Sequence, residues 1–79
     1  MPLPEPERIE SAADLGAAVR ARRKELGLTL TDAAERMGVG RRLLLELEHG
    51  DRNVGLETVL RIVQLLGLDL YVGDRRAST

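Results

Sequence analysis

Between Thr29 and Asn53 lie the residues whose types and spacing suit chemistry, and that chemistry is recognition of a base-paired, anionic polymer. Arg41 and Arg42 follow Gly40 at a point where a helix can begin. A guanidinium at a helix tip can grip O6 and N7 of guanine through two parallel N–H bonds, discriminating by about 1–3 kcal/mol per good pair. Leu45 and Glu46 come one turn later. An apolar Leu45 can touch a thymine methyl, or it can form part of a protein-contact surface. The Glu46 carboxylate can accept from cytosine N4, although its i,i+4 spacing favours a surface pair with Arg42. Thr29 and Leu30 open the preceding helix, so their amides can meet phosphate. Arg52 and Asn53 follow the arginine-bearing helix and can clamp the other side. The bland alternative for Arg41 and Arg42 is solubility, and Arg20 and Lys24 read as solvated, with a minor steering role.

No comparable case exists for catalysis. His49 is the only histidine and there is no cysteine, so neither a thiolate metal site nor a disulfide can form. A Gly-rich phosphate loop after a strand, a nucleophile elbow and a clustered carboxylate pair are all missing. The reading is a non-enzyme with no metal and no cofactor. One Tyr and no Phe or Trp also disfavour stacking on single-stranded bases.

The elements that must position these residues are legible from caps and periodicity. Residues 1–10, with Pro2, Pro4 and Pro6 among acids, suit a mobile arm. Ser11 and Asp14 have capping-box spacing, so a first helix starts near Ala12 and Gly27 ends it. Thr29 and Asp32 repeat that spacing for a helix over 30–37, which Gly38 stops. Gly40 is the next N-cap, for a helix from Arg41 to about His49 that Gly50 ends. Leu56, Val59, Leu60, Val63 and Leu66 mark a fourth amphipathic helix, closed by Gly67. Helices two and three form a helix-turn-helix, with small Ala34 at their approach and apolar Val39, Leu44 and Leu47 anchoring the second. Leu43, Leu44 and Leu45 cannot all face one core, because a helix turns about 100° per residue; Leu45 is expected to face the groove or solvent.

The domain is thus read as 11–67, followed by 68–74 and a tail, 75–79. Leu68, Leu70 and Val72 alternate with Asp69, Tyr71 and Gly73, the period of a strand. A lone strand cannot satisfy its backbone within this chain, so the expectation is pairing of Leu68, Leu70, Tyr71 and Val72 with a second copy across a two-fold axis. The alternative is a frayed tail. Seventy-nine residues make one domain. A chain of this size buries only about 60% of its unfolded surface, which also favours a partner subunit.

Net charge is −1, yet its distribution is uneven. Residues 1–19 carry one base against four acids, 20–45 seven against three, and 46–79 four against six. A basic centre between acidic ends fits a phosphate-binding face or a solvated helix surface. No apolar run approaches the ~18 residues of a membrane span, and no export signal is readable, so a cytoplasmic location is expected.

Taken together, Leu15, Arg23, Gly27-Leu28-Thr29, Ala34, Gly38 to Arg42, Leu47-Glu48, Gly50, the 56–67 helix and the 68–74 strand resemble the phage-repressor-like (Xre) helix-turn-helix family. Within it they look most like HipB-like antitoxins. The resemblance covers about residues 11–76. It implies an all-α domain of four to five helices with a short C-terminal strand that pairs across a homodimer. It also implies a repressor bound to double-stranded operator DNA and, for HipB-like members, neutralisation of a HipA-like serine/threonine kinase toxin. It further implies a largely buried ion pair between Arg23 and Glu48. The chain departs from the family where Leu30 replaces a common Gln and Leu45 a common Ser. The first departure removes a side-chain phosphate contact. A free-standing regulator, or an interaction module without DNA contacts, are the other readings.

Overall fold

The computed structural model describes residues 6–51 and 53–78. Among them are four α-helices, α1 (Ala12–Glu25), α2 (Leu30–Met37), α3 (Arg41–His49) and α4 (Leu56–Leu65), then a 3-10 turn at Arg75–Ser78. The starts of α1 and α2 follow from side-chain caps. Ser11 Oγ accepts from the Asp14 N–H at 3.1 Å, and the Asp14 carboxylate reaches back to the Glu10 N–H at 2.9 Å. Thr29 Oγ1 accepts from the Asp32 N–H at 3.0 Å. Each arrangement satisfies donors that a helix start otherwise leaves unpaired.

Val19, Leu44, Ile62, Val63 and Leu66, from α1, α3, α4 and the end of α4, are almost wholly withdrawn from solvent. From α2 come Ala33, Ala34 and Met37, also buried. Small residues there let α2 lie close to its neighbours, as expected for Ala34. The run 43–45 divides as a 100° step requires: Leu44 is core, Leu43 packs on its edge, and Leu45 is not part of the cluster. Fully burying one such leucine contributes about 1.5–3 kcal/mol, enough to hold α3 in a single rotational setting.

The crossing of α1 and α3 depends on two glycines. A Cβ on Gly16 would overlap the carbonyl oxygens of Leu47 and Glu48. Gly50 has φ +74°, and a Cβ there would lie 2.7 Å from the Ala13 nitrogen and Cα. Glycine alone meets both constraints at Gly50. Two arginines tie the helix ends. Arg22 Nε donates to the Leu66 carbonyl at 2.8 Å, and Arg61 Nη1 donates to the Met37 carbonyl at 2.6 Å. Both carbonyls belong to helix C-termini, where unpaired acceptors are the rule.

The expectation for 68–74 requires correction. No β-strand occurs among the described residues, and none of the backbone of 68–74 takes part in a ladder. A strand exists by virtue of its neighbour, and a single chain offers none. Leu68 packs against the core, while Leu70, Tyr71 and Val72 are 43%, 74% and 103% exposed. The expected tail is also partly ordered: the 3-10 turn is capped by Asp74, whose Oδ1 accepts from the Arg76 N–H at 2.8 Å. That bond, with a weaker one from the Arg76 side chain, lowers the Asp74 pKa below the usual carboxylate value. Residues 6–10 are exposed and without regular structure; 1–5, the rest of the expected arm, lie outside the described residues.

Candidate nucleic-acid interface

At the start of α3 the backbone conformation is set by Gly40, which is extended at φ −69° and ψ 144° and offers no side-chain cap. Its surroundings are open: a Cβ there would meet nothing within 4 Å. The amides of the first turn are therefore left to another partner. Arg41 and Arg42 occupy that turn, and no acidic residue does. Positive side chains at the positive end of a helix dipole are unfavourable by about 0.3–1 kcal/mol each. The arrangement lowers the stability of α3 and gathers positive potential at its tip.

Arg41 and Arg42 are both exposed, with the Arg42 side chain 88% open to solvent. Arg41 Nε donates to Thr31 Oγ1 at 3.2 Å, which links the first turn of α3 to that of α2. Arg42 Nε donates to Glu46 Oε1 at 3.0 Å, the i,i+4 pair that the spacing favoured. Leu45 is half-buried and lines one shallow depression together with Arg41, Arg42, Glu46, His49 and Asp51. All five base-facing candidates thus stand on the outer side of α3, Gly40 at its head and the other four around the depression.

The expected phosphate contacts divide. Thr29 is exposed at the start of α2, but its hydroxyl already accepts from Asp32. Leu30 is half-buried against the core, which supplies a physical reason for leucine where the resembled family commonly has glutamine. Asn53 is exposed in the loop between α3 and α4, and Arg52 lies outside the described residues.

Arg23 and Glu48 form the expected buried pair. Nε donates to Oε2 at 2.7 Å and Nη2 to Oε1 at 3.0 Å, a two-pronged geometry. Nη1 donates to the Leu28 carbonyl at 2.9 Å. One guanidinium therefore ties α1, the α1–α2 connection and α3. The residues are 9% and 5% exposed, and no buried side-chain polar atom among the described residues lacks a partner. The hydrogen bond to Glu48 raises the Arg23 pKa above its ordinary value against the opposing effect of burial, with the Glu48 charge adding to the rise.

The helix-turn-helix family model HTH_3 matches residues 19–72. The chain belongs to the helix-turn-helix family HTH_3. That match takes in α2, the turn, α3 and α4 entire. Among curated relatives of this helix-turn-helix chain is the uncharacterised HTH-type transcriptional regulator y4mF of Sinorhizobium fredii. It is 38% identical over 73 residues, or 89% of this chain and 96% of that one. A putative HTH-type transcriptional regulatory protein of Saccharolobus islandicus is 34% identical over 71% of this chain, which spans 18% of its length. Among solved structures, HipB in an O2 20mer complex superposes with TM-score 0.77 at 25% identity, covering 90% of this chain and 99% of that one. The clp gene regulator ClgR of Corynebacterium glutamicum superposes at 0.70 with 35% identity, covering 82% of each chain.

Three contributors to this helix-turn-helix site escaped the sequence reading. Arg61 and Arg22 sit within amphipathic helices, and nothing in their neighbours announces that a distant carbonyl awaits them. Gly16 did leave a signal. Glycine inside a helix costs about 1 kcal/mol relative to alanine, and such a residue mid-helix points to close backbone approach.

Proposed function

We propose that this protein is a sequence-specific, DNA-binding transcriptional repressor that acts as a homodimer. The observation that carries the proposal is the uncapped first turn of α3, which holds Arg41 and Arg42 exposed at its positive end. An anionic partner reverses the sign of that unfavourable arrangement. A duplex major groove about 12 Å wide admits such a helix. Gly40, Arg41, Arg42, Leu45 and Glu46 face the bases in this reading, while the start of α2 and the loop containing Arg52 and Asn53 face phosphate.

Two copies are needed to read two half-sites about 34–36 Å apart. The exposed Leu65, Leu70, Tyr71 and Val72 support a second copy as their cover. Membership of the helix-turn-helix family and the regulator y4mF support the reading as a regulator.

The finer assignment is an antitoxin that neutralises a HipA-like kinase. It rests on the similarity to HipB, which is also solved in a HipA-HipB-O2-O3 complex, with TM-score 0.76 at 26% identity. A regulator without a toxin is the second reading, favoured by the higher identity, 35%, to the clp gene regulator ClgR. Two measurements test these. Duplexes are selected from a randomised pool and binding is followed by fluorescence anisotropy; replacing Arg41 and Arg42 by Ala should abolish the preference for the selected sequence. Failure of the unaltered protein to bind any duplex at low salt leaves only an interaction module. Co-expression with a kinase-like neighbour should yield a stable complex if the antitoxin assignment holds, and no complex if the regulator stands alone.

A further inference from the structure

We propose that the groove between the outer face of α1 and the end of α3 is a second phosphate-binding surface, which holds the backbone of one DNA strand beside the major groove. Ala17, Arg20, Ala21 and Lys24 line it from α1, and Glu48 and His49 line it from α3. The inference rests on the DNA-binding reading above and extends its footprint to a helix outside the helix-turn-helix unit.

The four basic residues of α1 divide into two pairs with opposite fates. Arg22 and Arg23 turn inward to the Leu66 carbonyl and to Glu48. Arg20 and Lys24 are exposed, and neither makes an ion pair or a hydrogen bond among the described residues. They lie at i and i+4, hence about 6 Å apart along the helix axis. A DNA strand advances about 3.4 Å along its axis per nucleotide, so two long side chains at this spacing can reach successive phosphates. The small side chains of Ala17 and Ala21 in the same lining leave room for a sugar-phosphate chain, where longer side chains would fill the groove.

Nearby negative charge is already engaged. Glu48 is neutralised by Arg23 at 2.7 Å, and Glu25 lies 3.5 Å from Arg22. The groove is also continuous with the proposed base-reading face. His49 lines both this groove and the depression around Arg41, Arg42, Leu45 and Glu46. A strand following the major groove past α3 therefore passes along α1. Charge complementarity selects a phosphodiester chain here, and contiguity with α3 selects the strand already bound there.

The test compares the full chain with the double variant Arg20→Gln/Lys24→Gln, using a duplex selected by the unaltered protein and a scrambled one. Each phosphate contact contributes about 0.9 to the slope of log K against log salt. For two contacts the slope should therefore fall by about 1.8 in the double variant, by the same amount on both duplexes, with sequence preference and melting temperature retained. A second variant, Ala17→Glu, places a carboxylate in the groove and should weaken binding to both duplexes alike. An unchanged slope in a double variant that still binds overturns this inference alone. Such a result would leave the groove as a surface for an acidic protein instead. Failure of the unaltered protein to bind either duplex overturns the DNA reading and this inference together.

Discussion

Arg22-Arg23 and Arg41-Arg42 are two identical dipeptides with opposite environments. The first pair is drawn inward because a carbonyl at a helix end and a carboxylate stand within its reach, and the second stays at the surface. Removing one partner of the inner ion pair leaves an uncompensated buried charge. Glu48→Ala should accordingly lower unfolding free energy by about 3–5 kcal/mol, read from urea denaturation. The raised pKa of Arg23 fixes the sign of its own pH effect. A base whose folded pKa is raised stabilises the fold at all pH values below its unfolded pKa, and loses that contribution only on the alkaline side. The Arg23 contribution is therefore level across neutral pH. Exposed Arg42 and its partner Glu46 differ from this pair: an i,i+4 bridge is worth about 0.3–0.5 kcal/mol, so Glu46→Gln should leave stability almost unchanged while altering base preference in a pool selection.

At the scale of elements, α3 is held from behind by α1 and at its turn by α4. Gly16 permits the first contact. Gly16→Ala gains helix propensity in α1 yet overlaps two α3 carbonyls, and overpacking of this kind costs about 1–3 kcal/mol. Net destabilisation in a thermal melt is the expected outcome, and a rise in melting temperature would show that α1 and α3 do not approach so closely. The second contact is the bond from Arg61 to the Met37 carbonyl. Arg61→Ala should weaken the fold by about 1–3 kcal/mol through the unsatisfied acceptor. It should also weaken sequence discrimination, since Met37 immediately precedes the turn that orients α3.

For the whole molecule, the described chain keeps large apolar side chains in water at Leu56, Leu65, Leu70, Tyr71 and Val72. No helix among the described residues is long and apolar enough to cross a membrane. Under the proposed homodimer, a second copy covering these side chains would make folding and association one equilibrium, so the melting temperature should rise with protein concentration. Val72→Asp should then give monomers by sedimentation and lose high-affinity binding to a two-half-site duplex. Monomers of the unaltered chain at high concentration would rule out the dimer.

Local signals sufficed for the helices and their turn. Ser11, Thr29, Gly38, Gly40 and Gly50 mark ends through bonds and backbone angles reaching only a few residues, and the apolar spacing names the faces that meet. Arg41 and Arg42 were readable as the tip of α3 for the same reason. The tertiary structure alone decided which arginines turn inward, where Leu30 and Leu45 lie relative to the core, and that Arg20 and Lys24 share a groove with His49. Those outcomes depend on carbonyls and side chains brought together by packing from distant parts of the chain, and period and propensity carry no information about them. The alternation at 68–74 marks the boundary between the two: its periodicity is local, but a ladder needs a neighbour that the described residues do not supply.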